Sequence, residues 1–372
     1  MLFGARGTGK SHLLKHRLKT KSVLWIDLLN VNKEAEYLKN PMLLSEQLRA
    51  LPATKEKNWV IVDEIQKIPK LLDVIHKEIE EKKFYFAISG SSARKLKRGG
   101  ANLLAGRAFE RHLFPLTYKE IGEHFKLIDT LKWGSLPEVL SFDFNEKKDF
   151  LKTYVNTYLK EEIQAEQLVR KMPPFRAFIE VAAQSSGELL NYSKIARDIG
   201  SDTVSVKNYY QILEDTLLGF FVYPFKESIR KRQSKTPKFY FFDCGILRAS
   251  QRKLHLELNE KTYEYGKLFE HWVIQEIFRL NKYYSYDYSL SFMKTKDNAE
   301  IDLILERPGT KKRLIEIKST NFVTDDHLKH LKQLSEDIPN SQAICISNEV
   351  QTKKMGKIYC YHWKKGLEEI FS

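Results

Sequence analysis

Gly4-Ala5-Arg6-Gly7-Thr8-Gly9-Lys10-Ser11 is the stretch whose reading decides the fold. It follows G-x-x-x-x-G-K-[ST], a phosphate-binding P-loop, and its flanks are those the motif needs. Met1-Leu2-Phe3 reads as the end of an apolar strand, and Ser11 to His16 continues as a helix. Gly4, Gly7 and Gly9 let the chain turn tightly, so that successive N–H groups point at a phosphate seated on the helix N-terminus. The whole octapeptide, Ala5, Arg6 and Thr8 included, is assigned to the nucleotide. Lys10 reaches the β- and γ-phosphates, and the Ser11 hydroxyl ligates Mg2+. A glycine-rich turn that merely matches is the competing reading, and the strand–loop–helix setting weighs against it. The chain is expected to bind ATP with Mg2+.

Moving outward, Ser22 to Leu28 reads as a buried strand, and polar helices follow to about Leu51. Trp59-Val60-Ile61-Val62-Asp63-Glu64 is an apolar run closed by two acids, as expected of a parallel strand with functional residues at its C-terminal edge. Asp63 is placed to hold Mg2+ through water as a Walker-B acid. Glu64 is placed to activate the attacking water as general base. An acidic pair after a strand can also be a plain helix N-cap. A helix from Leu71 to Glu81 leads to the strand Phe84 to Ser89, which ends in Gly90-Ser91-Ser92. AAA+-type ATPases keep a polar sensor residue there, so Ser91 or Ser92 either contacts the γ-phosphate or caps a helix. After the basic stretch Arg94 to Gly100 and Leu104-Ala105-Gly106, Arg107 is an arginine-finger candidate, with an ordinary salt-bridge role as the alternative. A strand over Ala108 to Leu113 is expected next.

From Thr117 to Glu166 the pattern turns helical, broken by Gly134-Ser135-Leu136-Pro137. Helices over Phe175 to Gln184, Tyr192 to Ile199 and Ser205 to Gly219, then a hairpin strand at Phe220 to Tyr223, read as a winged helix. Its third helix carries Lys207, Asn208, Tyr209, Tyr210 and Gln211 beside Glu214 and Asp215. Either it contacts DNA, or it packs or autoinhibits. Arg230-Lys231-Arg232 with Lys235 and Lys238 is the better phosphate-contact cluster.

The C-terminal third carries a second constellation. A helix from Tyr265 to Leu280 contains Glu270, and Tyr283 to Met293 reads as strand. Residues 299–305 and 312–318 read as a hairpin across Pro308-Gly309. Asp302, then Glu316-x-Lys318, is the metal pattern of restriction-endonuclease-like nucleases. Alternation puts Glu316 and Lys318 on one strand face. Asp302 and Glu316 clamp Mg2+, Glu270 supports it from the helix, and Lys318 positions the attacking water. A helix (Asp325 to Leu334) and a strand (Ala343 to Ser347) follow. A nuclease fold retired to packing or DNA binding is the alternative, with Glu316 and Lys318 then a plain ion pair.

The 372 residues, 42% hydrophobic and 12% aromatic, suit two to four globular domains. No run nears the ~20 apolar residues that span a bilayer, so no membrane partner is expected. Three cysteines without metal-site spacing suggest a reducing, cytoplasmic setting. Of the net charge of +14, nine lie in residues 1–100, where 20 Lys and Arg face 11 Asp and Glu. Solubility is one reading and a nucleic-acid partner, DNA foremost, the sharper one. A homo-oligomer or a protein partner stays open. Parallel strands average ~5 residues, yet three precede Gly4, so a clipped first strand with an upstream natural start is expected.

Taken together the chain resembles a prokaryotic family of AAA+-like ATPases related to the STAND class. Its members carry a C-terminal domain of long-unassigned function with a restriction-endonuclease-like fold. The blocks that carry the resemblance are the P-loop, Val62 to Pro69, Ser89 to Ser92, Leu104 to Arg107, Gly134 to Glu138, Lys238 to Asp243, and Gly266 to Glu270 with Asp302, Glu316 and Lys318. The resemblance implies ATP binding and hydrolysis and names no substrate. The expectation is an α/β chain: a P-loop AAA+-like parallel-sheet ATPase core (1–125), a helical lid (126–172), a winged helix (173–250) and a restriction-endonuclease-like domain (251–372). Its expected role is that of an ATP-driven, nucleic-acid-associated switch, with or without Mg2+-dependent DNA cleavage; an ATP-gated regulator of a protein partner is the alternative.

Overall fold

The apolar runs on either side of the P-loop assemble into a sheet. The computed structural model describes residues 1–19, 23–51, 58–91, 106–158, 172–225, 236–295 and 297–372. The chain forms two compact units, residues 1–114 with 211–218, and residues 115–210 with 219–372.

The first unit runs β1 (Leu2–Phe3), α1 (Lys10–Arg17), β2 (Val23–Asp27), α2 (Val31–Lys39), α3 (Leu43–Ala50), β3 (Trp59–Asp63), α4 (Leu71–Glu80), β4 (Tyr85–Gly90) and β5 (Arg111–His112). Its strands lie in the order β2-β3-β4-β1-β5, and every neighbouring pair is parallel. Val60, Ile61 and Val62 are fully buried, as a parallel strand covered on both faces must be. Leu71, Leu72, Val74 and Ile75 form the apolar stripe of α4 and join Phe3, Ile26, Val60, Val62 and Ile88 in one core. Each such side chain contributes about 1.5–3 kcal/mol by leaving water. Because β4 lies between β1 and β3, the loop after β1, the end of β3 and the end of β4 open on one sheet edge, where ligands bind in open α/β sheets. The strand expected over Ala108 to Leu113 shortens to β5, held by Arg111 N to Met1 O (2.9 Å) and Leu113 N to Phe3 O (2.7 Å).

The second unit begins with short helices at Tyr118–Ile121, Leu127–Trp133, Pro137–Ser141 and Phe144–Thr153, the last passing into a π-helical turn, Tyr154–Tyr158. Helices Met172–Gln184, Tyr192–Asp198 and the first part of Thr203–Asp215 follow. Then come β6 (Gly219–Pro224), β7 (Lys238–Phe241), helices Cys244–Ser250 and Tyr263–Tyr283, β8 (Ser289–Lys294), β9 (Glu300–Glu306), β10 (Lys312–Lys318), helix Asp325–Glu336, β11 (Ser341–Ser347), β12 (Lys353–Met355), β13 (Ile358–His362) and helix Trp363–Glu369. One mixed sheet of eight strands results, ordered β12-β13-β11-β10-β9-β8-β6-β7. A buried ion pair, Arg279 to Glu276 (3.2 Å), ties the 21-residue helix to the early helices: Glu276 Oε2 accepts from Tyr118 N (3.1 Å), and Arg279 Nη1 donates to Ser135 Oγ (3.2 Å).

Four expectations meet a different structure. The hairpin read as a wing is not a free one, because Tyr223 and Pro224 of β6 pair in parallel with Ser291 and Phe292 of β8 and extend the C-terminal sheet across residue 250. In the third helix, Tyr209 and Tyr210 are buried against Phe178 rather than presented to a groove. Lys238, read as a phosphate contact, is buried in an ion pair with Glu300; Arg230 to Lys235 lie outside the described residues. The helix through Glu270 continues to Tyr283, and Asn281 clamps the next turn through both Tyr288 N (3.0 Å) and Tyr288 O (2.8 Å), so the following strand starts only at Ser289. Among the described residues, no helix is long and apolar enough to cross a membrane.

Candidate functional site

The P-loop leaves β1 at Gly4, whose N–H donates to Gly90 O (3.3 Å). A Cβ there would run into Thr8 Oγ1 at 2.8 Å and Leu113 O closer still, so only glycine fits. Gly7 (φ 80°) and Gly9 (φ 88°) hold the left-handed conformation that other residues resist. Lys10 opens α1, and its buried ammonium donates to Gly4 O (2.8 Å) and Ala5 O (3.3 Å). Thr8 is buried and donates to Ala5 O (2.9 Å), which closes the cradle, while Arg6 is exposed.

The acidic end of β3 meets this loop directly. Ser11 Oγ donates to Asp63 Oδ2 at 2.6 Å, and the other Asp63 oxygen accepts from Ser89 Oγ on β4. A hydroxyl and a carboxylate side by side are the hard oxygen donors that suit Mg2+. Glu64 follows with φ 61°, a left-handed backbone rare outside glycine and of the strained kind found at functional sites. Gln66 fixes its carboxylate: Gln66 Nε2 donates to Glu64 Oε2 (2.5 Å) and to Ser91 Oγ (3.0 Å). Ser91 is buried; Ser92 lies outside the described residues. Arg107 is accounted for within its own unit by an ion pair to Glu80 at 2.7 Å. Gln66 and Ser89, which complete the site, sit in the quoted sequence blocks but carry no motif of their own.

The second cluster lies in the C-terminal sheet. The β9–β10 ladder pairs Leu303 with Ile315, the neighbours in sequence of Asp302 and Glu316. There Asp302 Oδ2 accepts the Ile317 N–H (2.8 Å). Glu316 is buried; one oxygen holds Lys318 Nζ at 2.5 Å, and the other has no hydrogen-bond partner among the described residues. Burial, and then the Asp302 charge, push Glu316 up to about 8 and Glu270 up to about 7. Burial would lower the Lys318 and Lys238 ammoniums, but Asp302, Glu270 and their other facing carboxylates outweigh it and hold both above the usual lysine range. Glu270, Glu316 and Lys318 thus all feel the Asp302 carboxylate.

Glu270 and Lys318 line a pocket of ≈ 620 Å³ with Lys267, which pairs to Glu188 at 2.7 Å. The orphaned Glu316 oxygen and the all-oxygen donor set fit a hard divalent cation. Among the described residues, no three His, Cys, Asp or Glu side chains form a group that could hold a metal ion. Three more charges join this cluster: Glu300 two residues before Asp302 on β9, Lys267 one turn before Glu270 on its helix, and Lys238 from β7, which no sequence spacing links to the others.

Comparison with known proteins divides the chain into three consecutive stretches. Residues 1–122 match the family described as an AAA domain. Residues 124–259 match a domain of unknown function (DUF8612), and residues 265–365 another (DUF4143). An uncharacterized protein of Mycobacterium tuberculosis is 27% identical over 316 residues, covering 83% of this chain and 68% of its own. One from Methanocaldococcus jannaschii is 24% identical over 381 residues, covering 94% and 82%. The structure of the Aeropyrum pernix ORC1 protein in complex with DNA is similar at 12% identity and a TM-score of 0.27, over 68% of this chain and 85% of that one, a likeness too low to carry an argument. The AAA match and the mixed α/β unit with its parallel sheet support an AAA-like P-loop ATPase core, a class that uses nucleotide and usually Mg2+.

Proposed function

We propose that this chain hydrolyses ATP at the P-loop and uses the nucleotide state to control a nucleic-acid-directed C-terminal unit, whose acid cluster cleaves phosphodiester bonds. The observation that carries the reading is the 2.6 Å contact between Ser11 Oγ and Asp63 Oδ2, which joins the two halves of a Mg·ATP site. Lys10, now turned onto Gly4 O, exchanges that carbonyl for the β- and γ-phosphates. Glu64 accepts the proton of the water that attacks the γ-phosphorus, and ADP leaves with the electron pair of the broken P–O bond. Gln66 holds Glu64 in line, and through Ser91 it reports on the end of β4. Arg107 reaches a γ-phosphate only after releasing Glu80, which suits a role conditional on a partner subunit.

In the C-terminal unit Asp302 and Glu316 would hold the cation, Glu270 would back them from its helix, and Lys318 would orient the attacking water. Bound at either site, Mg2+ supplies charge neutralisation on the phosphate oxygens. The helices from Met172 to Asp215 with β6 and β7 are proposed as a winged-helix-like module closed onto the sheet, with the exposed Lys207 and Asn208 offered for phosphate or base contacts; Gln211 already donates to Glu214 (3.1 Å) and Asp215 (3.0 Å). A restriction-endonuclease-like domain from 251 to 372 then takes β6 and β7 as its edge.

A second reading has one observation in its favour. Lys318 already neutralises Glu316 at 2.5 Å, as in a fold kept for scaffolding, with ATP gating a protein partner. ATP turnover and plasmid nicking, each with and without Mg2+, separate the two. Nicking lost on Asp302→Ala with turnover retained supports the nuclease; no nicking by the wild-type chain under any nucleotide condition leaves the regulator.

A further inference from the structure

A third site lies apart from both constellations. A cavity of ≈ 550 Å³ opens between the helix Phe144–Thr153 with its π-helical turn, the helix Met172–Gln184 and the segment after the helix Cys244–Ser250. It shares no lining residue with the pocket beside Glu270, and no P-loop residue lines it.

Its walls are cationic. Lys148 and Lys152 stand four apart on one helix and both face the cavity, a like-charge pair that by itself destabilises the helix. Arg176 and Arg252 add two guanidiniums, against the single Glu180 carboxylate, which pairs to Arg252 at 2.8 Å. Four cations around one carboxylate leave an excess of positive charge at the cavity, which favours an anionic ligand. The floor is apolar, formed by Phe175, Ile179 and Leu254, all buried. Ser250 is among the lining residues; it is 3% exposed, and its hydroxyl has no hydrogen-bond partner among the described residues. A buried hydroxyl without a partner is unfavourable, and a small rotation toward the cavity would let a ligand oxygen satisfy it.

Two backbone irregularities border the same space. Val155 and Asn156 belong to the π-helical turn, a form found as single turns and often at functional sites. Arg252 has φ 60°, a left-handed backbone that a side chain resists unless its surroundings hold it.

We propose that this cavity binds a small phosphate ester with an apolar or aromatic body, of about nucleotide size. The cations and Ser250 take the phosphate, and Phe175, Ile179 and Leu254 take the body. The volume falls within the ~300–1,000 Å³ of small-molecule clefts, and the recess differs from the open basic groove that tracks a nucleic-acid strand.

The test uses the full chain carrying Lys10→Ala, so that the P-loop is silent, with adenosine 5′-monophosphate and 1-naphthyl phosphate as separate calorimetric probes. At least one probe is expected to bind with one-to-one stoichiometry, and to weaken about tenfold or more in Lys152→Glu/Arg176→Glu, two exposed positions. Ser250→Ala should weaken it several-fold, and raising the ionic strength from about 0.05 to 0.5 M should weaken it further. The unphosphorylated bodies, adenosine and 1-naphthol, should bind at least about tenfold less well. The proposal is overturned if neither probe binds at about 1 mM, or if binding is indifferent to both the charge reversals and Ser250→Ala.

Discussion

Gln66 offers the sharpest probe of the ATPase site, because its role is visible only in the folded chain. Its amide nitrogen spans Glu64 Oε2 at 2.5 Å and Ser91 Oγ at 3.0 Å, while its oxygen has no partner among the described residues. Gln66→Ala removes one hydrogen bond to a charged group and one neutral bond. A bond to a charged group is worth about 1.5–3 kcal/mol. If its work is to hold Glu64 toward the attacking water, that energy appears in the barrier, and kcat falls about ten- to a hundredfold. ATP affinity should stay the same, since the Gln66 amide bonds to Glu64 and Ser91 and not to the P-loop or Asp63. Gln66→Met keeps much of the volume and should be as slow as Gln66→Ala; recovery in the Met variant would make packing the cause. Ser91→Ala combined with Gln66→Ala should cost less than the two single changes together, because both act on one chain of bonds. Steady-state turnover and equilibrium ATP binding read all of these. A Gln66→Ala enzyme within about twofold of wild type, or one with weaker ATP binding and unchanged kcat, refutes the positioning argument.

Further expectations follow from other residues. Lys10→Ala should abolish ATP binding in calorimetry, because no other side chain supplies the loop's ammonium. An Arg107→Ala chain mixed with a Lys10→Ala chain should regain turnover if the arginine acts between subunits; its Glu80 pair, exposed and worth under about 1 kcal/mol, is no barrier to release. Asp302→Ala should end divalent-dependent nicking while leaving ATP turnover unchanged, which a two-substrate assay on one preparation reads. Gly134→Ala should cost about 2–4 kcal/mol in urea unfolding, since Gly134 sits at φ 79° and an added Cβ collides with the buried Asp243 carboxylate. A loss under about 1 kcal/mol would show that the Asp243 cap can move aside.

How much the sequence disclosed depended on how local the signal was. The P-loop, Asp63 and the buried run of β3 are each written in consecutive residues, and they fold as such. Glu316 and Lys318 were legible because strand alternation alone puts them on one face. What the residues hid is long-range. Gln66 has no motif and becomes part of the site only when β4 brings Ser91 beside it. Lys238 looked like a surface cation beside other cations, yet the hydrophobic run Phe239 to Phe241 carries it into the buried edge strand β7, where Glu300 compensates it. The hairpin of β6 and β7 has the local marks of a wing, and only the parallel pairing of β6 with β8, about seventy residues on, shows that it finishes the larger sheet. β12 and β13 were missed because they are short and interrupted by a charged turn.

Mg2+-dependent ATP turnover by wild-type and Glu64→Gln chains, measured with and without duplex DNA, tests the central claim most directly. The account predicts turnover that Glu64→Gln lowers about 10²–10⁴-fold without loss of ATP binding, and a wild-type rate that changes when DNA is added. Equal turnover in the two proteins, or a wild-type chain that binds ATP and never hydrolyses it, would contradict the account.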